Sequence, residues 1–314
     1  MKPLPRSQRG VALLIALLAV ALATMLIAGL LDRGELTLAR TRNALRGEQA
    51  QAYAQALESY AVEALIKDDV GEDSRTDVWA NPLPPQQVPG GILVGSLSDL
   101  NGCFNLNNLA DGADSAAWLG LFRRLLTNLG VDPAIADDAK SWIGTDDNVD
   151  GFYLAQPVPY RSAQRAFAHV SELRLVRGVT SDVYARVAPY VCALPAGTKL
   201  NVNTASVPVL MALGPNITRA QAERVWQDGR AQYDGSFLSQ WSNEGVVPDA
   251  SLTLACCLGV ASSYFLARGD VRLDDVPFTF FSVIERVQGS NRVIQRSRGS
   301  DDALVAPVSE PGRR

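Results

Sequence analysis

The residues with the most evident chemistry form an acidic loop near the middle of the chain. Asp146, Asn148 and Asp150 alternate along it, and Gly151 follows. This spacing matches the first half of a calcium-binding loop, in which side-chain oxygens converge on a hard cation and glycine permits the turn. The twelfth position from Asp146 is Pro157, where such a loop would supply a bidentate glutamate. The pattern therefore predicts either a calcium site with ligands from elsewhere or a solvated Asp/Asn turn. The candidates for these further ligands are the Phe152 carbonyl, Asp147 and Glu172.

The chain has few residues of the types that catalysis commonly requires. His169 is the only histidine, which excludes a mechanism with two imidazoles and a histidine-rich zinc site. No G-x-S-x-G motif accompanies it. The chain has 33 acidic and 29 basic residues, and a net charge of -4 argues against a protein that mainly binds a nucleic-acid backbone. Because 47% of the residues are hydrophobic, we expect folded domains, and we expect no enzymatic activity.

Four cysteines, Cys103, Cys192, Cys256 and Cys257, are a second candidate for chemistry. They contain no C-x-x-C pair, so neither a zinc ribbon nor a thioredoxin-like site is indicated. A bridge from Cys103 to Cys192 would tie the entry of a helical region to its exit. The adjacent Cys256 and Cys257 would pair with each other, or one of them would compete for Cys103. Four cysteines permit three pairings, and the sequence does not choose among them.

The N-terminus contains the strongest signal for a structural element. Lys2, Arg6 and Arg9 precede an uncharged apolar run over residues 11–31. As a helix this run spans about 30 Å, which is enough to cross a bilayer. A cleaved secretory signal is the alternative, but its apolar region is usually about 7–15 residues long and ends at a small-residue cleavage site. The helical pattern here continues to about residue 67, and the preceding basic residues place the N-terminus in the cytoplasm and the remaining chain outside.

The remaining patterns predict a mixed architecture. Residues 71–91 are rich in Pro, Gly, Asp and Asn and indicate a linker, and residues 91–106 indicate one or two strands. Apolar residues at three- and four-residue spacing predict an amphipathic helix over residues 115–129. The other predicted elements are helices at 134–142, 170–175 and 181–187, a second helical unit over 203–230, and two antiparallel strands at 262–273 and 278–287.

The N-terminal sequence RSQRGVALLIALLAVALATMLIAGLL resembles the leader of type IV pilin-like proteins. In that family a prepilin peptidase cuts after a glycine, here Gly10, so that the mature chain begins at Val11. Most members have glutamate at the fifth mature position, whereas this chain has Ile15. The absence of this glutamate is typical of the protein K minor pseudopilins of type II secretion, because a subunit at the filament tip has no subunit above it to pair with.

Four further segments are similar to the protein K family. They are FNLNNL at residues 104–109, PYRSAQRAFAHVSELRLVRGV at 159–179, YVCALP at 190–195 and LNVNTASVPVLMAL at 200–213. The resemblance implies an α+β fold, in which a long pilin-like N-terminal transmembrane helix packs on a small antiparallel sheet and a large all-α insertion forms two SAM-like units.

This fold would divide the chain into seven segments. They are a leader (1–10), a transmembrane and amphipathic helix (11–70), a linker with the first strands (71–109), a first SAM-like domain with the acidic loop (110–199), a second SAM-like domain (200–259), C-terminal antiparallel strands (260–300) and a flexible tail (301–314).

The same resemblance implies a function in assembly. The chain would be a minor pseudopilin at the pseudopilus tip that initiates or caps the filament for protein export across the outer membrane. Its partners would be the I and J minor pseudopilins, the major pseudopilin, the prepilin peptidase and the inner membrane, which the chain crosses once with its bulk in the periplasm. Cleavage after Gly10 and methylation of Val11 would mature it.

The protein K family also binds calcium in its helical region. This property favours calcium as the cofactor. The implied ligands are Asp146, Asp147, Asn148, Asp150 and the Phe152 carbonyl.

Residues 201–225 provide the alternative, because NVNTASVPVLMALGPNITRAQAERV resembles a helix-hairpin-helix DNA-binding unit. Such units hold phosphate with backbone amides of a glycine-rich hairpin. The hairpin here is GPNIT, and its proline has no N–H to donate. A pilus-associated DNA-uptake subunit is therefore the second hypothesis, and we expect no nucleic-acid partner.

Overall fold

A computed structural model describes residues 6–145, 149–287 and 290–298 of the chain. The chain divides into two units, Met1–Tyr53 and Ala54–Arg314. The first unit is helical throughout its described part, whereas the second contains all the described strands.

Helix α1, Arg6–Ile66, is 61 residues long. Its sequence contains no proline and is dominated by alanine and leucine, which are strong helix formers. The continuous helix predicted from the sequence is therefore confirmed, and it ends within one residue of the predicted position.

The second unit contains short helices and strands of unequal length. The helices are α2 (Ser115–Asn128), α3 (Ile135–Ile143), α4 (Asp150–Leu154), α5 (Ser181–Val187), α6 (Val207–Ala212), α7 (Arg219–Trp226) and α8 (Phe237–Asn243). The strands are β1 (Leu83–Val88), β2 (Gly91–Asp99), β3 (Phe104–Asn105), β4 (Val191–Cys192), β5 (Leu200–Asn201), β6 (Leu258–Gly259), β7 (Tyr264–Leu273), β8 (Val276–Val287) and β9 (Ser290–Arg298).

Five strands form one antiparallel sheet in the order β1-β2-β7-β8-β9. The C-terminal part of α1 packs on it where the sheet has no side chains. Gly95 of β2 pairs with Gly269 of β7, and a Cβ atom added at Gly95 would lie 2.3 Å from Cδ1 of Leu57. The paired glycines therefore permit a close approach between helix and sheet. The buried apolar cluster next to this contact contains Ala61, Leu65, Trp79, Leu97, Phe265, Ala267 and Ile284.

Two pairs of two-residue parallel strands organise the helical region. Strand β3 pairs with β4, and β5 pairs with β6. Strands β3 and β5 each end in an asparagine whose Oδ1 accepts a hydrogen bond from the backbone N–H two residues later. Asn107 donates to Asn105 at 3.1 Å, and Asn203 donates to Asn201 at 2.9 Å.

Asn107 and Asn203 make equivalent contacts in the two halves of the helical region, because the side-chain amide of each pairs with the backbone of a distant residue. Asn107 accepts from the N–H of Phe167 (2.7 Å) and donates to its carbonyl (3.0 Å). Asn203 does so with Tyr233, at 2.8 Å and 2.9 Å. Both asparagines are almost completely buried. The two halves therefore hold a distant backbone segment in the same way, by an amide that mimics a strand partner.

The structure adds elements that the sequence did not predict. Strands β1 and β9 lie at the two edges of the large sheet, and β1 falls within the predicted linker. An edge strand buries little and tolerates proline, so the LPPQQV sequence of β1 has almost no alternating pattern. Helix α8 was also missed, and residues 170–175 form a 3₁₀-helix. The amphipathic helix α2 and strands β2, β3, β7 and β8 confirm the corresponding predictions.

The asparagine contact generates a test of stability. Replacing Asn107→Ala would leave the N–H and C=O groups of Phe167 and the carbonyl of Leu194 without their side-chain partner. Each unsatisfied buried polar group costs about 1–3 kcal/mol, so we expect a loss of about 3 kcal/mol or more in the free energy of unfolding. Urea denaturation of the detergent-solubilised chain measures it.

The control is Asn128→Ala at the exposed end of α2. It should change the free energy of unfolding by less than about 0.5 kcal/mol. Equal effects of the two substitutions would show that the buried asparagine does not hold the Phe167 segment.

Candidate functional sites in the apolar helix and the helical region

The first candidate site is the apolar segment of α1. The part Val11–Ile66 contains an 18-residue window of mean hydropathy 2.9, none of which is buried against the described residues. Leu14 and Leu26, for example, are 67% and 69% exposed. Thr24 is the only residue of 11–31 with a polar side chain, and its hydroxyl donates to the carbonyl of Ala21 at 2.8 Å. This segment is therefore a candidate single-pass membrane anchor.

The predicted processing site lies at the start of this segment. Gly10 and Val11 are consecutive residues of α1. Ile15 is 62% exposed and uncharged, so the carboxylate common in pilin-like proteins is absent from the place where a neighbouring subunit would pair with it. Cleavage at Gly10 stays a prediction.

The acidic loop lies only partly within the described chain. Asp146, Asp147 and Asn148 lie outside the described residues. Asp150 begins helix α4, and its side chain is almost completely buried. Its Oδ1 accepts hydrogen bonds from the backbone N–H (2.9 Å) and the hydroxyl (2.7 Å) of Ser162. The hydrogen bond from the backbone of Ser162, and to a smaller extent the one from its hydroxyl, hold the pKa of Asp150 below its usual range. This carboxylate is therefore charged at neutral pH.

One oxygen of Asp150 fits the role of a cation ligand. Its Oδ2 lies 3.8 Å from the guanidinium of Arg161, beyond hydrogen-bond distance. The Phe152 carbonyl accepts a hydrogen bond from the side-chain amide of Gln156 at 3.1 Å, and a carbonyl oxygen has two lone pairs. Both predicted oxygen donors are therefore compatible with calcium.

Two other features of the predicted loop differ from a calcium-binding loop. Gly151 lies inside α4 without the left-handed backbone that the loop glycine adopts, because Tyr153 packs against Trp142 and draws the segment into a helical turn. Glu172 is engaged elsewhere. Its Oε1 accepts from the N–H groups of Ala168 and His169, and its Oε2 lies 3.4 Å from Arg165. Glu172 is therefore a helix-capping residue and a poor ligand candidate.

His169 has a structural role in the same turn. Its Nδ1 accepts from the backbone N–H of Ser171 at 3.1 Å and caps the 3₁₀-helix of residues 170–175. This contact gives the lone histidine a structural role as a capping residue.

The cysteines form two disulfides. Of the pairings that the sequence left open, the structure contains Cys103–Cys192 and Cys256–Cys257. The first joins residues 89 positions apart, with Cα atoms separated by 5.9 Å. It therefore ties the entry of the first helical half to its exit. In the chain-entropy account, a loop of this length contributes about 4 kcal/mol.

The segment that resembles a DNA-binding unit forms α6 and α7, but its arginines are paired with carboxylates. Arg219 lies 2.7 Å from Glu223, and Arg224 lies 3.3 Å from Glu244, with all four side chains exposed. These pairs reduce the positive potential that would attract a phosphate backbone. The absence of a nucleic-acid partner stays a prediction.

Sequence reasoning missed a second acidic group, in residues 67–79. Asp68, Asp73 and Asp77 come together beside the buried Arg286. The available signal is the density of acidic residues in KDDVGEDSRTDVW, which spans the end of the predicted helix and the start of the predicted linker.

Comparison with known proteins identifies the family. Two family models described as "Type II secretion system (T2SS), protein K" match residues 102–196 and 200–237. The chain is 36% identical to the type II secretion system protein K of Pseudomonas aeruginosa, over 94% of each chain. It is 33% identical to the protein of the same name from Pectobacterium carotovorum, over 93% of this chain and 97% of the relative.

A solved structure has a similar fold. One chain of the crystal structure of the GspK-GspI-GspJ complex from enterotoxigenic Escherichia coli superposes with a TM-score of 0.74 at 29% identity. The match covers 83% of this chain and 99% of that one. The alignments with these two curated relatives cover 93–94% of this chain. The resemblance noted in the sequence is therefore confirmed. The chain therefore belongs to the type II secretion system protein K family and is a minor pseudopilin of that system.

Proposed function

We propose that this minor pseudopilin occupies the tip of the pseudopilus and starts or caps its assembly, without catalysing a reaction. The observation that carries the proposal is the apolar Ile15 at the position where most pilin-like subunits have glutamate. A carboxylate in lipid needs a partner, and in a filament that partner is the N-terminal amine of a neighbour. A subunit with no neighbour above it would leave such a carboxylate unpaired, so the apolar residue suits the tip.

The proposed partners are companion minor pseudopilins of the I and J types and, below them, the major pseudopilin. Support comes from the similar chain in the GspK-GspI-GspJ complex, which assembles with two such proteins. Association would use the exposed apolar face of α1, because helices in lipid associate through close van der Waals packing. The bulk of the chain would lie in the periplasm, where disulfides persist.

The folded part would follow the pilin plan with an insertion. The C-terminal part of α1 lies on an antiparallel sheet, as a pilin-like helix would. Residues 110–259 would form two SAM-like units between strands β2 and β7 of that sheet. The repeated asparagine contact supports two related units, because each half holds its own distant segment in the same way.

Calcium is proposed as a structural ion of the first SAM-like unit. Asp150 and the Phe152 carbonyl would supply ligands together with Asp146, Asp147 and Asn148, and the ion would neutralise the acidic loop. The resident carboxylate Asp150 also holds the Ser162 segment, so binding would couple the loop to its surroundings.

Leader cleavage is the first test of this function. We expect intact mass spectrometry of the membrane-extracted chain to show loss of residues 1–10, with methylation of Val11, only when prepilin peptidase is co-expressed. A Gly10→Val chain should stay uncut, whereas Gly29→Val, in the middle of the apolar segment, should be cut normally. A chain that begins at Met1 in the presence of the peptidase would contradict the pilin-like pathway.

The apolar residue at position 15 is the second test. Ile15→Glu would place an unpaired carboxylate in the membrane, and a penalty of about 1.4 kcal/mol corresponds to a tenfold loss of association. We expect at least a several-fold fall in co-purification with the I- and J-type subunits from detergent-solubilised membranes, while Ile15→Leu behaves as the wild type. Equal recovery with glutamate at this position would remove the physical reason for a tip location.

Calcium binding is the third test. We expect equilibrium dialysis of the detergent-solubilised chain to show that Asp146→Asn or Asp150→Asn removes one calcium ion per chain, and chelation should lower the melting temperature of the wild type. The control is Glu223→Gln, an exposed carboxylate in the same helical region. Calcium binding that is unchanged in both aspartate variants would contradict the loop site.

A further inference from the structure

A second group of carboxylates lies in the segment between α1 and β1. One oxygen each of Asp68, Asp73 and Asp77 lies within 4.8 Å of the other two. Oxygens that share one metal ion at about 2.4 Å must lie within such a distance of each other. The three residues belong to the second unit, and none of them is part of the acidic loop of residues 146–150.

Asp73 is the residue that points to a ligand. Its side chain is completely buried. Oδ2 accepts from the backbone N–H of Ser262 at 2.7 Å and from Nη2 of Arg286. Oδ1 is also buried but has no hydrogen-bond partner among the described residues. An unsatisfied buried carboxylate oxygen is expensive, and either a bound cation or a proton shared with Asp68 would satisfy it.

Arg286 provides only part of this charge. Its guanidinium is shared between Asp73 and Asp68, whose Oδ2 accepts from Nη1 at 2.9 Å, and it also donates to the carbonyl of Ser262. Within the described chain, the oxygens of Asp77 accept from Ser74 and from Nε1 of Trp79 rather than from an arginine. Three carboxylates therefore face one guanidinium.

The wider surroundings leave the same excess of negative charge. Burial raises the pKa of Asp99, and nearby Arg75 opposes this rise only in part. Asp99 in turn adds to the rise that burial causes in the pKa of Asp73. The added pair contributes one residue of each sign, so with every carboxylate ionised the group would have two uncompensated negative charges. Burial raises the pKa of Asp73, and that of its neighbour Asp68, above the usual range. A single divalent cation would neutralise the excess and relieve this penalty.

We propose that Asp68, Asp73 and Asp77 form a binding site for one calcium ion. The donors are all carboxylate oxygens, without imidazole or thiolate, which favours a hard cation over zinc or copper. Magnesium would require a near-ideal octahedron, whereas calcium accepts an irregular set of carboxylates and waters. Asp68 and Asp77 are half-buried, so they leave a route for the ion and its waters.

The ion would join three parts of the fold. Asp68 follows the end of α1, Asp73 is hydrogen-bonded to the segment before β7, and Arg286 belongs to β8. Calcium would therefore clamp the end of the long helix to the sheet. This role is independent of the tip location and of the loop site near Asp150.

Calcium stoichiometry tests the site. We expect equilibrium dialysis of the full detergent-solubilised chain against Ca²⁺ to show that Asp68→Asn and Asp77→Asn each lose one bound ion per chain. Both keep a side-chain oxygen as an acceptor. The control is Glu72→Gln, an exposed neighbour in the same segment, and it should keep every ion. Loss of an ion in Asp150→Asn but not in these variants would leave the loop site standing and overturn this one.

A second measurement avoids any change of the carboxylates. Trp79 donates to Oδ2 of Asp77 at 3.2 Å, so Tb³⁺ bound in place of Ca²⁺ should emit when tryptophan is excited. We expect part of this emission to disappear when Ca²⁺ displaces Tb³⁺, and we expect Trp79→Phe to lack that part. The Trp142→Phe control, which alters the other acidic region, should retain it.

Emission that is unchanged in Trp79→Phe would overturn the proposal. The Asp150→Asn chain provides a second outcome that would overturn the proposed calcium site. In that outcome its melting temperature does not respond to Ca²⁺, and it falls as the pH rises above the usual aspartate pKa. That result would assign Asp73 a retained proton, because a carboxyl whose pKa is raised on folding loses stability as it ionises.

Discussion

The structure depends on one constraint, which is that the side chains of residues 11–31 are apolar and lie exposed within the described part of the chain. In water this surface would be costly, at about 25 cal/mol for each Å² exposed. Contact with lipid or with other apolar helices would remove that cost. The segment is suited to such contact because its backbone is hydrogen-bonded within α1 and its one hydroxyl, on Thr24, donates to Ala21. The apolar part of the first unit is therefore a candidate membrane anchor.

The second unit solves a different problem, which is to hold many short elements on one sheet. Helix and sheet meet closely because Gly95 and Gly269 leave room for Leu57. Many helical segments are too short to be stable alone, and they are fixed by buried asparagines and by the Cys103–Cys192 disulfide. Rigidity of this kind would suit a subunit that presents a folded surface at the end of a filament.

The sequence predicted those parts of the structure that repeat a strong local pattern. The uncharged run and its continuation predicted α1, and the amphipathic spacing predicted α2. Edge strands β1 and β9 were missed because edge positions bury few side chains. The contact between Asp73 and Arg286 joins residues 213 positions apart, and no local pattern announces it. At the acidic loop, spacing identified Asp150 as a candidate ligand, but packing of Tyr153 placed Gly151 in a helix instead of a turn.

The position of the subunit in the filament is the central claim, and immunogold labelling of assembled pseudopili tests it most directly. An antibody against the helical region, residues 110–259, would be applied to filaments from cells that express the full set of pseudopilins. Our account predicts gold at one end of each filament and none along the shaft. Labels distributed along the length would contradict a tip location and would mean that Ile15 is tolerated within the filament.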